Sequence, residues 1–209
     1  MRYIWLIIFT GTFIWSGIGP KDQFTWLLET TPAIIVIIIL AASYKRFHLT
    51  PMLYTFILIH CIILMISGHY TYAEVPGFDG LFDSERNNFD KLGHFFQGFV
   101  PALIAREIIL RKRIIIQSRA WLNFILLCIV LAISAFYEMI EWWVALLTKN
   151  NVTAFLGTQG YQWDTQSDML IALIGCLAAL MMLSNWHSRP TLINGDRRKV
   201  AITLIINRN

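Results

Sequence analysis

Met52–Ile66, MLYTFILIHCIILMI, contains a single side chain that carries charge near neutral pH, His60. A soluble amphipathic helix places polar residues every three or four positions, and this run does not. It reads as the middle of a helix with apolar material on every side. Extended by about a turn at either end it covers Thr50–Gly68, and about nineteen residues at ~1.5 Å each cross a hydrocarbon layer of ~30 Å. Thr31–Tyr44 (TPAIIVIIILAASY) and Met169–Leu183 (MLIALIGCLAALMML) repeat the pattern. With 56% of the 209 residues hydrophobic and only 14% charged, a soluble domain is excluded. The expected fold class is all-α: a polytopic membrane helix bundle of about six transmembrane helices.

Working outward, residues 3–19 follow a single Arg2 and resemble a signal peptide in outline. No small-x-small cleavage pattern follows, and the run carries Trp5, Phe9, Phe13 and Trp15, so it is read as a retained first span. Lys21, Asp22 and Glu29 are assigned to a short connection around Pro20. The second span, Trp26–Tyr44, has Pro32 in its first turns, where a missing amide is tolerated, and ends at Lys45 and Arg46. After the third span the loop from His69 to Phe89 is rich in acids and turn formers. The fourth span, Phe89–Leu110, contains Pro101, a predicted kink. Ala120–Leu147 is longer than one crossing needs and is expected to tilt, with Trp142 and Trp143 in an interfacial aromatic belt. The sixth span opens at Asp168 and reaches about Trp186. Residues 1–188 thus form the bundle, and 189–209 a basic cytoplasmic tail. Cys61, Cys128 and Cys176 sit singly in separate apolar runs with no metal or disulfide spacing, and are read as small buried packing residues.

Six spans put both termini on one side, so basic residues can be summed over alternate loops. Arg2, Lys45, Arg46, Arg106, Arg111, Lys112, Arg113, Arg119, Arg189, Arg197, Arg198, Lys199 and Arg208 fall on the side of the termini. Lys21, Arg86, Lys91 and Lys149 fall on the other, a division of thirteen against four. Cytoplasmic segments carry the excess of Lys and Arg, so both termini are predicted to be cytoplasmic.

In that orientation the ionisable residues at span ends converge on the outer leaflet. Asp90 and His94 stand four apart in Asn88–Arg106 (NFDKLGHFFQGFVPALIAR), on one helical face about a turn apart. Glu138 and Glu141 lie three apart near the end of the fifth span, and Asp164 and Asp168 four apart at the start of the sixth. Asp90 and Asp164 also suit helix capping, where a carboxylate meets free amides and a positive dipole end. Glu138 and Glu141 do not, since their helix runs outwards and places them towards its negative end. Few Lys or Arg lie on that side, which leaves a bound cation or shared protons as the expected compensation.

Carboxylates with one or two imidazoles suit a divalent metal cation, which is the candidate cofactor: Zn, Mn or Fe where His takes part, Mg or Ca where oxygen dominates. The expected metal ligands are His69, His94, Glu138, Glu141 and Asp164, and the candidate catalytic residues Asp90, Glu138 and Asp168. Gln97, a turn beyond His94, is placed to orient a ligand. Such a site would make the protein a hydrolase or group-transfer enzyme acting on a lipid or envelope substrate within the bilayer. A cation- or proton-coupled carrier is the alternative from another class, and a structural or assembly protein with internal ion pairs a third. A relay would extend ionisable groups to the cytoplasmic side, where only His60 and Glu107 offer themselves within the spans, so the one-sided site is preferred. No nucleic-acid partner is expected, and protein partners stay open.

Four stretches together, GHYTYAEVP (Gly68–Pro76), NFDKLGHFFQGFVPALIARE (Asn88–Glu107), YEMIEWW (Tyr137–Trp143) and QGYQWDTQSDM (Gln159–Met169), resemble the YjdF-like family of uncharacterised bacterial inner-membrane proteins. The resemblance covers most of the chain and implies a multi-pass inner-membrane protein of about six helices. It implies no activity. DKLGH, at Asp90–His94, is also similar to the DKxxH opening of VanZ-like membrane proteins, a short local likeness.

Overall fold

The computed structural model describes residues 2–80, 86–114, 118–148 and 159–184. The expected basic tail, 189–209, lies outside the described residues, as do Asp83, Glu85 and Lys149. The described residues form six α-helices: α1 (Arg2–Gly17), α2 (Gln23–Ser43), α3 (Pro51–Tyr70), α4 (Phe89–Arg111), α5 (Arg119–Thr148) and α6 (Asp164–Ser184). A 3-10 turn at Tyr72–Glu74 follows α3, and an isolated bridge between Asp79 and Asn87 closes the loop before α4. By length and composition α2, α3, α5 and α6 suffice to cross a membrane, and α1 is a shorter apolar helix. α4 has 23 residues, about 34 Å at ~1.5 Å per residue, but carries more charged residues than any of the others: Asp90, Lys91, Arg106, Glu107 and Arg111.

Local chemistry explains where the helices begin. Asp22 caps α2 by accepting the Thr25 amide at 2.6 Å. Pro51 occupies the first turn of α3, where its fixed φ suits a helix and no amide is needed. Glu29, assigned to a connection, instead lies inside α2 and is completely buried. Pro32 is ten residues into α2 rather than in its first turns, so it removes the amide that would bond the Leu28 carbonyl. Pro101 does the same to the Gln97 carbonyl in α4.

α4 is the centre of the bundle, packed on α3, α5 and α6, while α1 and α2 lean on α3. Its approach to α6 is the closest. A Cβ added to Gly98 would collide with the Ala172 carbonyl, and one added to Gly175 with the Phe95 carbonyl. Small residues allow such backbone contact between membrane helices, where packing rather than water release drives association. The core runs along this seam through Leu53, Ile57, Phe99, Val100, Leu103, Leu126, Val130 and Cys176. The outward faces carry exposed Ile38, Ile39, Phe136 and Met181, the inverse of a soluble protein and suited to lipid. Cys61 and Cys176 are buried as expected, but Cys128 is exposed on the outer face of α5.

At the end where α3 begins and α4 finishes, Glu107 accepts from the Thr50 amide at 3.0 Å and its hydroxyl at 2.9 Å, and pairs with Arg111 at 2.8 Å. Arg111 also donates to the His48 carbonyl and lies 4.1 Å over the Phe47 ring. Glu107 is therefore a fully satisfied clamp between two helices.

Candidate functional site

The opposite end of α4 carries the ionisable cluster. Asp90 and His94 share one face of α4, and His94 Nε2 lies 3.2 Å from Asp90 Oδ1. The other ring nitrogen, Nδ1, is 3.0 Å from Gln97 Oε1 and 3.9 Å from Glu138 Oε1, and Nε2 is 3.9 Å from Asp168 Oδ2. His94 is thus the hub at which α4, α5 and α6 meet. The ligand atoms of Asp90, His94 and Asp168 lie within 4.8 Å of one another, and so do those of His94, Glu138 and Glu141. All five side chains are buried.

Two of the expected ligands stand elsewhere. His69 donates from Nδ1 to the Ser16 carbonyl at 3.1 Å, and its ring packs on Trp15 with centroids 4.7 Å apart. The cause is helical phase: nine residues at ~100° each put His69 on the face of α3 opposite His60, turned towards α1 and away from α4. Asp164, in the first turn of α6, sits at the cluster's edge. It pairs with Arg86 at 2.7 Å and Lys91 at 3.1 Å, outside both metal-competent groups.

Those two cations correct the expectation that few lie nearby. Lys91 binds Asp168 directly, donates to Ser167 Oγ at 2.8 Å and stands 3.7 Å from Asp90, as Arg86 does. Tyr161 lies under both, 5.3 Å from Arg86 and 5.9 Å from Lys91. Asn87 and Gln159 hold the two loops together over the site: the Asn87 amide donates to Gln159 Oε1 at 2.8 Å, and Gln159 Nε2 returns to the Asn87 carbonyl at 3.0 Å.

The dipole of α5 is not what makes Glu138 and Glu141 costly. α5 continues to Thr148, so both lie more than a turn from its end, and the dipole falls off within the last turn. Their cost comes from burial and mutual repulsion. The N-termini of α4 and α6, by contrast, point their positive ends at Asp90 and Asp164. Five carboxylates (Asp90, Glu138, Glu141, Asp164, Asp168) thus face Arg86, Lys91 and at most a protonated His94. The cations are spent on the aspartates. Glu138 Oε1 is buried with no hydrogen-bond partner.

Sequence reasoning missed three further groups. Glu29 projects from α2 towards Ser67, whose hydroxyl is 3.4 Å from Glu29 Oε2, and Tyr72 stands beside it. Burial pushes the Tyr72 phenol well above its usual range, so it stays a hydrogen-bond donor at neutral pH. Its hydroxyl packs 3.1 Å from where a Gly93 Cβ would stand. Tyr137 stands edge-on to His94 with centroids 6.3 Å apart. Of these, only Glu29 carried a signal: an acid inside an apolar run, as Glu138 is. A cavity of about 220 Å3 runs inward from this end, lined by His94, Gln97, Tyr72 and Tyr137 at one end and by His60 among apolar side chains beyond.

Comparison with known proteins agrees with this picture. The chain is 53% identical over 182 residues to the inner membrane protein YjdF of Escherichia coli (strain K12), covering 84% of this chain and 85% of that protein. No solved structure matches it. The family described as predicted membrane protein (DUF2238) matches over residues 1–189, almost the whole bundle and its tail junction. This chain, helical through most of its described residues, belongs to that family of predicted membrane proteins.

Proposed function

We propose that the protein is a cation-dependent membrane enzyme, a hydrolase or group-transfer enzyme working on a lipid or envelope substrate at the outer leaflet. The observation that carries this reading is Glu138 Oε1, a buried carboxylate oxygen without a hydrogen-bond partner, in a group with His94 and Glu141 whose ligand atoms lie within 4.8 Å. A cation held at ~2.0–2.2 Å by three ligands in a tetrahedral arrangement sets their atoms about 3.4 Å apart, so side chains whose ligand atoms lie within 4.8 Å of one another would close in by about an ångström to bind it. A divalent ion would also balance the surplus of carboxylate over Arg86, Lys91 and His94. One imidazole with carboxylates favours Zn, Mn or Fe.

Held by His94, Glu138 and Glu141, such a cation would supply Lewis-acid chemistry, polarising a carbonyl or phosphoryl oxygen and acidifying a water. The chain's own residues divide the remaining work. Gln97 orients the His94 ring, Asp90 accepts a proton from the attacking group and returns it to the leaving group, and Lys91 holds Asp168 in place beside His94. The bias of thirteen basic residues to four supports cytoplasmic termini and so a periplasmic mouth for the site. The same bias makes residues 189–209 a cytoplasmic tail.

One observation favours a small proton-coupled carrier instead: His60, deep in α3, lines the same cavity as His94. Reconstituted protein separates the two. The enzyme reading expects release of a headgroup or fatty acid from phospholipid vesicles that stops on chelation and falls at least a hundredfold in Asp90→Asn, with metal retained. Cation- or proton-driven flux without product release would establish the carrier.

A further inference from the structure

The cavity has a shape that the ionisable cluster alone does not require. On α4 it is lined from His94 through Gln97, Val100 and Pro101 to Ile104. Ten residues at ~1.5 Å make that wall about 15 Å long, half of a ~30 Å hydrocarbon layer and so the depth of one leaflet. Ile57, Cys61 and Leu64 of α3 form the wall opposite. The two internal prolines that interrupt helical bonding, Pro32 and Pro101, both line it. Its side is bounded by Pro32 and Val36 of α2 and by Ile133 and Tyr137 of α5, and among the described residues these two helices share no extended packing. Ile133 is 39% exposed on what would be the lipid face. The cavity therefore meets the bilayer sideways, between α2 and α5; its polar groups gather at the His94 end, with His60 alone among the apolar side chains deeper in.

We propose that this cavity takes one acyl chain of a phospholipid from the outer leaflet, delivering the ester and phosphate of that lipid to His94 and Glu138. The inference rests on the cation-dependent reading above and names its substrate class. An apolar tube of one-leaflet depth fits an acyl chain. A polyprenyl chain, several times longer, would not be contained. At about 220 Å3 the space is smaller than the ~300–1,000 Å3 of drug-sized pockets, room for part of a single chain and not for two. An apolar wall that ends in a few placed polar groups is the usual form of a ligand site, and a chain that enters sideways need not leave the hydrocarbon.

The test uses the full-length protein in lipid discs with a phosphatidylglycerol whose acyl chain ends in a diazirine. Illumination should place the label on the Ile57–Cys61 and Val100–Ile104 segments, the deep end of the cavity. Val100→Trp fills the space and should reduce that label at least tenfold. Cys61→Phe narrows the same passage from α3 and should do likewise should the first variant not fold, and the position of the wild-type label decides the matter without either. Label confined to outward residues such as Ile38 and Met181, label unchanged in both filled variants, or displacement by equimolar polyprenyl phosphate overturns the proposal. Metal content is measured on the same samples. Metal-replete protein without cavity label sinks this inference alone, whereas labelled but metal-free protein sinks the proposed chemistry and leaves the lipid site standing.

Discussion

At the residue scale the cluster divides into aspartates held by ion pairs with Lys91 and Arg86, and glutamates that no Lys or Arg among the described residues pairs, with Glu138 Oε1 buried and without a hydrogen-bond partner. Lys91 is bound by Asp164 and Asp168, with Asp90 near. Breaking a buried pair by removing one partner costs about 3–5 kcal/mol because the other charge is left uncompensated. Lys91→Met should therefore lower the unfolding midpoint strongly, and adding Asp168→Asn should restore part of it, with a coupling of about 0.5–3 kcal/mol in a double-mutant cycle. Additive losses would mean that the pair contributes nothing. His69→Phe is the contrasting case. It loses one hydrogen bond to Ser16, about 0.5–1.5 kcal/mol, keeps the stacking on Trp15 and should leave metal content unchanged. Spacing alone showed that Asp90 and His94 share a face, and that Glu138 and Glu141 do. It could not show that His69 faces α1, because that depends on which side of α3 meets α4. Nor could it place Arg86 and Lys91, since a loop residue and a first-turn lysine read as solvated until α6 is laid beside them.

At the element scale the span boundaries were legible because hydrophobic blocks and their punctuation are local. The third expected span, Thr50–Gly68, and α3, Pro51–Tyr70, differ by a residue or two. The sixth was placed four residues late, since Asp164–Ser167 is polar enough to read as loop although it forms the first turn of α6. What no spacing rule gave is the seam between α4 and α6. Gly98 and Gly175 lie in apolar runs that look uniform, yet each meets a carbonyl of the other helix. Gly98→Ala and Gly175→Ala should each destabilise by about 1–3 kcal/mol or more through overpacking, read as a lower melting midpoint in detergent. Gly11→Ala, where nothing lies within 4 Å of the new methyl, should be neutral or slightly stabilising. Equal effects at Gly98 and Gly11 would contradict the close seam.

At the scale of the whole molecule, two ends of one bundle do different things. The end holding Glu107, Thr50 and Arg111 is saturated with hydrogen bonds and closes the structure. The end holding His94 has carboxylates to spare, a buried oxygen without a partner and a cavity leading from it into the apolar interior. In the orientation proposed from the charge bias, the first end faces the cytoplasm and the second the outside. A reporter active only in the periplasm should accordingly stay silent when fused after Asn209 and give signal when fused in the loop around Pro76; a signal at Asn209 would turn the site to the cytoplasmic face. The surplus of buried negative charge is the central claim, and a bound cation is its proposed resolution. Elemental analysis of gently purified wild-type protein beside His94→Ala and Glu138→Gln tests it most directly. The account predicts near-stoichiometric divalent metal in the wild type, lost in both variants; wild-type protein that holds no metal and takes none up when it is supplied would contradict it.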